Sequence, residues 1–343
     1  MEIQKYYPTE TPMLGVIKDE PNEIYHGNKA ISNSMLSYFR KRKYLFYKKF
    51  VTKTLIEEPK AKDYFTFGGA GHCLILEGQG EFEKRYMIEP VDAPKKPTKP
   101  RHEYKSAIKP EAEARLVFWE NFNSIAEEHG KEVLSQKQMR TLFYVNNSVE
   151  QSEIATALIA EIKPELTFRC DLGWTMLQVR LDGFIESCSA HLAEFLNESL
   201  ANTSYYKKVE AGDTIAIDLK TCATLTAEDS GSYDKHVGEH GYYIQDRLYR
   251  EVVERVTGKP LDHFFFIPVE KQEPFETDVR FTDPDDLALA NEILFMDLTE
   301  MKNCFRTKAW MSLNNGTIKS QSISGWHKSR AEMRIKLERA RNE

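Results

Sequence analysis

The sequence predicts an α/β fold, with a central mixed β-sheet flanked by helices and helical extensions at both ends. Three observations carry this. Between residues 165 and 220 the apolar pattern repeats every second residue, as in half-buried strands, whereas the stretches before 160 and after 240 repeat at helical spacing. The resulting order, helix, three strands, helix, strand, builds a sheet between helical layers. Hydrophobic residues make up 41% of the 343 residues and aromatics 11%, enough to fill a sizeable core.

Taken in chain order, Ser32 or Ser34 caps a first helix carrying Met35, Leu36 and Phe39, followed by a second with Phe46 and Phe50. Arg40, Lys41, Arg42 and Lys43, with Lys48, Lys49 and Lys53, form a segment free of acidic residues and interleaved with Tyr44, Phe46, Tyr47 and Phe50. That pattern fits a solvated basic helix face and equally a DNA contact, where phosphates meet the cations and bases stack on the rings. Residues 65–79 read as a Gly-rich turn running into a short apolar helix, and 88–110 as a Pro- and Lys-rich mobile loop. Helices follow over 111–129, built on Ala114, Leu116, Trp119 and Phe122, and over 135–160. Glu165–Asp171 and Trp174–Asp182 pair as a hairpin turned at Leu172-Gly173. An amphipathic insertion around 190–209 precedes a third strand, Thr214–Lys220. A helix over 241–257 stops at Gly258-Lys259-Pro260, and His263–Val269 forms a fourth, buried strand. A helix over 284–303 and a charged helix from about 327 complete the chain. The expected division is a helical, basic extension (1–60), a core (61–275) with an insertion near 187–212, and a C-terminal helical extension (276–343).

Several classes are excluded. Mean hydropathy is −0.54, and no apolar run approaches the roughly 18–20 residues that cross a bilayer, so no membrane association is expected. The first residues, MEIQKYYPTETPMLG, lack the order of a secretory signal. The cysteines, 73, 170, 188, 222 and 304, are odd in number and contain no CxxC pair, which argues against a disulfide framework or zinc ribbon and fits a reducing cytoplasm. Only Cys304 lies beyond Cys222, so no iron–sulfur cluster is expected, and the absence of a P-loop predicts no ATP. A net charge of −6 excludes a uniformly basic surface but leaves room for a local basic channel.

The most informative segment is Ile215-Ala216-Ile217-Asp218-Leu219-Lys220-Thr221. Strand alternation buries Ile215, Ile217 and Leu219 on one face and puts Asp218 and Lys220 together on the other. Alone, that pair also fits a salt bridge at a strand end. Asp182, where the preceding strand is expected to finish at Asp182-Gly183, brings a second carboxylate to the same sheet end if the strands are neighbours; alone it fits an ordinary Asp-Gly turn. Hard oxygen ligands from two strands, with a backbone carbonyl such as that of Leu219, suit Mg²⁺ or Mn²⁺. His72 lies among Gly68, Gly69 and Gly71, small residues that let its helix approach the sheet, and Glu165 begins the first strand. Gln245 and Tyr249 share a helix face, with Tyr242 one turn earlier.

In this order the residues resemble the PD-(D/E)XK nuclease superfamily, and more closely its exodeoxyribonuclease VIII (RecE-type) group of phage and prophage exonucleases. The resemblance rests on Ala30-Ile31-Ser32-Asn33-Ser34-Met35-Leu36, Phe67-Gly68 through His72 with Leu76-Glu77, Gly130-Lys131-Glu132-Val133, Glu165, Arg180-x-Asp182, Asp218-Leu219-Lys220-Thr221, Tyr242-x-x-Gln245 and Ser324-x-Trp326. The chain departs from the group at Lys43, where a proline is usual, in a longer gap between Asp182 and Asp218, and in detail from Gly231 to Gly241.

The resemblance implies a restriction-endonuclease-like core and a Mg²⁺-dependent 5′-to-3′ exonuclease on linear double-stranded DNA, serving recombination by single-strand annealing. It further implies that Asp182, Asp218 and the Leu219 carbonyl hold a metal, with His72 completing a second position. Lys220 would orient the attacking water, Gln245 position phosphate or water, and Glu165 support the ligands from behind. Arg40, Lys41, Arg42, Lys43, Tyr242 and Tyr249 would contact DNA, Tyr249 being the weaker candidate. Duplex ends, an annealing protein and a ring-shaped homo-oligomer are the implied partners. Three other readings stand beside this one: an inactive DNA-binding scaffold of the same fold, a related endonuclease, and a zinc peptidase through His236-x-x-Glu239-His240. Gly238 and Gly241 weaken the helix that the last would need.

Overall fold

The computed structural model describes residues 12–56, 62–98, 101–103, 108–205, 207–226, 232–311, 318 and 320–342. The chain divides into two compact units, Met1–Ala309 and Trp310–Glu343. The second contains the helix Gly325–Asn342, exposed along its described side chains from Trp326 to Lys336.

The first unit is built on a five-stranded mixed sheet. Among the described residues the strands of this unit are β1 (Gly15–Ile17), β2 (Tyr86–Ile88), β3 (Glu132–Leu134), β4 (Lys163–Asp171), β5 (Met176–Ile185), β6 (Ile215–Cys222) and β7 (His263–Glu270). The large sheet runs β1-β4-β5-β6-β7, and β2 and β3 form a separate parallel pair. The hairpin β4–β5 is antiparallel, from Lys163↔Phe184 to Asp171↔Met176. Its turn is closed by Gly173, at φ +79°, whose N–H donates to the Asp171 carboxylate at 2.6 Å. β6 and β7 are parallel over their whole length, Ile215↔His263 to Cys222↔Glu270, and the helix Tyr242–Thr257 makes the crossover that parallel strands require.

The alternation expected for β6 is present. Ile215, Ile217 and Leu219 join Phe265, Ile267 and Val269 in one core with residues of the helices Gln136–Gln151, Glu153–Ile159 and Ala190–Leu200. The helix Tyr242–Thr257 packs against β4 and β5, burying Ile244, Leu248 and Val252. Serine caps set the helix starts: Ser32 accepts from the Met35 N–H, and Ser135 forms a reciprocal capping box with Gln138.

Five expectations need correction. The Gly-rich turn expected at the start of 65–79 is helical, since Gly68, Gly69 and Gly71 lie within the helix Lys62–His72. The helix expected over 135–160 is two, because Ser152 leaves helical geometry to cap the second at Ala155. The loop over 88–110 is tied down in its described part, where Trp119 donates to the Pro94 carbonyl at 2.9 Å and Arg101 pairs with Glu120 at 2.8 Å. Glycines 69 and 71 make room for Tyr86 and Leu142 rather than for the central sheet. Finally, β5 does not end at Asp182-Gly183 but runs on to Ile185.

Gly183 is there for space. A Cβ at that position would lie 2.7 Å from Ile217 and 2.9 Å from Ile162, inside the core between β5 and β6. The N-terminal segment, which supplies β1, is fastened by a buried ion pair. Arg169 donates to Glu20 at 2.8 Å and to the Met13 carbonyl at 3.0 Å, while Gln178 ties in the Tyr25 carbonyl. Gly183→Ala is therefore expected to destabilise the protein by about 1–3 kcal/mol, the usual cost of overpacking. Urea denaturation measures this, and an unchanged midpoint would show that the contact is not tight.

Candidate active site

β5 and β6 hydrogen-bond only from Gly183↔Ile217 to Ile185↔Ile215. The next pair in that register is Asp182 with Asp218, and there the ladder stops. The Leu219 N–H donates to the Asp182 carboxylate at 2.9 Å, so a side chain takes the place of a strand partner. The opening between the strands thus gathers two carboxylates from opposite sides. Asp218 is only 2% exposed.

β4 supplies a third carboxylate by the same register. Pro164 pairs with Gly183 and Leu166 with Leu181, which leaves Glu165 facing Asp182. Glu165 has φ +55°, a left-handed conformation that a residue with a Cβ adopts at a cost of about 1–2 kcal/mol. Non-glycine strain of this kind concentrates at functional sites. His72, the last residue of the helix Lys62–His72, brings Nδ1 to 3.3 Å from Asp182. His72, Glu165 and Asp182 each offer a ligand atom within 4.8 Å of the others, the one such group of three or more among the described residues. Glu165, expected behind the ligands, stands with them. Asp218, expected to share the first metal with Asp182, stands beside the trio. Leu219 reaches Asp182 through its N–H.

Asp218 is held from two sides. Oδ1 lies against the Lys220 ammonium and Oδ2 accepts from Gln245 Nε2. Oδ1 is buried, and the ion pair with Lys220 is the contact that answers its charge. Tyr249 is buried against Phe264 and hydrogen-bonds Gln245, which places it behind the glutamine rather than on a DNA-facing surface.

The electrostatics follow from burial and crowding. Burial raises the Asp218 carboxyl; Lys220 opposes this and Asp182 adds to it, leaving it at about 6. Burial and the charge of Asp182 push Glu165 up to about 7. Burial works against the charged form of His72, but the Asp182 and Asp218 carboxylates outweigh it and lift the imidazole to about 9. Burial also opposes the Asp182 anion, yet His72, Lys220 and the Leu219 N–H hold its carboxyl below the usual range. The cluster therefore attracts positive charge. An imidazole with clustered carboxylates is a donor set that fits a divalent metal ion.

The remaining expected residues are spread out. Arg40 bonds Asp297 at 2.8 Å and Lys43 bonds Glu300 at 2.7 Å, so both engage the helix Pro284–Thr307. Lys41 and Arg42 are exposed. Tyr242 lies under the Lys220 ammonium. The helix Tyr233–His240 forms despite Gly238, ending at Gly241, whose φ of +69° makes the cap. Its His236 and His240 rings are 4.8 Å apart, but no group of three ligands includes them among the described residues. Arg180, read from sequence only as part of Arg-x-Asp, also belongs to the site. Its guanidinium lies 3.7 Å from Glu165 and is held by Thr167, Asn22 and the Glu20 carbonyl. The signal was its spacing, since two residues before Asp182 is the same strand face.

Residues 208–315 match the family described as a PDDEXK-like domain of unknown function (DUF3799). The crystal structure of a candidate exonuclease from Eubacterium rectale is similar in fold, with a TM-score of 0.50 and 14% identity over 90% of this chain and 97% of that one. No curated protein matches the chain.

The Glu165 backbone can be tested apart from its side chain. Glu165→Gly and Glu165→Ala should both weaken Mn²⁺ binding by about 10-fold or more, read by calorimetric titration. Glu165→Gly should be more stable than Glu165→Ala by about 1 kcal/mol in urea, because only glycine adopts the left-handed conformation freely. Equal stabilities would show that the left-handed conformation carries no strain.

Proposed function

From the restriction-endonuclease-like fold of the PD-(D/E)XK nuclease superfamily, we propose that this chain is a divalent-metal-dependent nuclease, a 5′-to-3′ exonuclease on linear duplex DNA of the RecE type. The observation that carries this reading is the meeting of Asp182, Asp218 and Lys220 where the β5–β6 ladder stops, with His72 and Glu165 converging on the same point. The order of motifs along the chain supports the exonuclease assignment. Its place is the trimming of DNA ends to expose a strand for an annealing protein. No helix among the described residues is long and apolar enough to cross a membrane.

In the reaction a water oxygen attacks phosphorus, the bond from phosphorus to the 3′ oxygen breaks, and that oxygen takes up a proton. His72, Glu165 and Asp182, with Asp218 alongside, would hold the metal, which would supply an acidified water and a counter-charge for the phosphate. Lys220 keeps its ammonium charge, because its carboxylate neighbours outweigh burial. It can therefore hydrogen-bond the attacking water and stabilise charge on the phosphoryl oxygens. Gln245 fixes the Asp218 carboxylate, and through it the lysine. Arg180 offsets the charge of Glu165 from the far side.

The test is digestion of end-labelled linear duplex with Mg²⁺, with Mg²⁺ plus chelator, and by Asp218→Ala and Lys220→Ala. Wild type is expected to shorten the duplex and the chelator to stop it. Each variant should fold and lose about 10²–10⁴-fold in rate, as for removal of a catalytic group. Covalently closed circles should survive. Wild-type rates in Asp218→Ala would remove the site, equal cutting of circles would remove the exonuclease assignment, and no digestion by wild type would remove the function.

A further inference from the structure

Among the described residues, a carboxylate and an aromatic ring lie against the Lys220 ammonium group. One is Asp218. The other is the ring of Tyr242, whose centroid lies 5.0 Å from Nζ. A lysine side chain has four rotatable bonds and sweeps a wide arc unless something bounds it. The carboxylate fixes one direction and the ring a second, which is enough to define where the ammonium points.

Tyr242 is itself placed by the fold. It is the first residue of the helix Tyr242–Thr257, immediately after Gly241. Its ring stacks on Phe266 at 5.7 Å and 27°, and lies 5.6 Å from the ring of Tyr233 and 5.8 Å from that of His240. Phe266 is the β7 residue paired with Asp218 on β6. The register of those two strands therefore sets both the carboxylate and, through Phe266, the ring that together hold Lys220. A ring engaged in this way serves the lysine rather than a DNA base.

We infer that Tyr242 is a positioning residue for Lys220, its ring face holding the ammonium group by a cation–π contact in the direction the reaction uses. This rests on the nuclease reading of the same site. It separates Tyr242 from Gln245, which holds the aspartate, and from Tyr249, which lies behind the glutamine.

The experiment compares wild type, Tyr242→Phe and Tyr242→Leu in steady-state digestion of linear duplex, in Mn²⁺ titration, and by NMR of the protein carrying ¹³C at lysine Cε. Tyr242→Leu removes the ring and should lower kcat about 10- to 100-fold, the scale of an ångström-sized misplacement. The KM for DNA and the Mn²⁺ affinity should move by less than about 3-fold, because the variant leaves the contacts to the metal and DNA in place. Tyr242→Phe keeps the ring face and should recover kcat to within about 3-fold of wild type. The Lys220 ε-protons should show an upfield ring-current shift in wild type and Tyr242→Phe, and lose it in Tyr242→Leu. The proposal is overturned if Tyr242→Leu keeps kcat, if Tyr242→Phe is as impaired as Tyr242→Leu, or if the loss appears in KM. It is also overturned if wild type lacks the shift, a result that needs no folded variant. Wild type that shows the shift but digests no DNA would remove the nuclease reading while leaving the lysine–ring contact standing.

Discussion

The structure turns on a single interruption of hydrogen bonding. β5 and β6 pair through Gly183 and Ile217 and then part, so that Asp182 and Asp218 face each other instead of continuing the ladder. The backbone must still be satisfied where the strands separate, and the Asp182 carboxylate meets that need for Leu219. With Glu165 on β4, three carboxylates share a largely buried space, and Lys220 and Arg180 offset two of them. The remainder appears in His72, whose imidazole holds its proton up to about 9 because Asp182 and Asp218 outweigh burial. A proton on that histidine and a divalent cation among the carboxylates answer the same electrostatic demand, so the two compete for it.

Around this opening the chain accepts two local costs. Glu165 keeps a left-handed backbone, and Gly183 gives up a side chain so that Ile217 and Ile162 can close beneath the carboxylates. One concession turns the Glu165 carboxylate toward His72 and Asp182, and the other lets the strands come together just before they diverge. Departures from local preference that coincide with clustered charge are what a functional site predicts.

Much of this was legible in the sequence, for physical reasons. Period-two alternation in Ile215, Ile217 and Leu219 survives because one face of β6 is wholly buried, and the same alternation puts Asp218 and Lys220 on the other face. Helix stops at Gly258 and starts at serine caps were readable because they are local. Elements of three residues, β1, β2 and β3, carry no period and escaped notice. Gly183 reads equally as a turn or as a gap for Ile217, and only the neighbouring strand decides between them. The place of Glu165 beside His72 and Asp182 depends on its register with Asp182 and on a backbone angle, neither of which composition reveals. The basic run at 40–43 reads equally as a solvated face or a DNA contact, and only the fold pairs Arg40 and Lys43 with Asp297 and Glu300, more than 250 residues away.

One helix gathers these threads. The crossover Tyr242–Thr257 is required for β6 and β7 to lie parallel, so its position is fixed by the sheet before any chemistry is asked of it. Its first turns carry the groups that hold Asp218 and Lys220: Gln245 on one carboxylate oxygen, and the Tyr242 ring near the ammonium that sits on the other. Gly241 sets where that helix begins, since its left-handed backbone ends the preceding helix and starts this one. A shift of one residue at that junction would rotate Tyr242 and Gln245 by about 100° around the axis, the angle between successive residues of an α-helix. Both would leave the aspartate and the lysine together. The precision with which these groups meet Asp218 and Lys220 therefore resides in the βαβ connection.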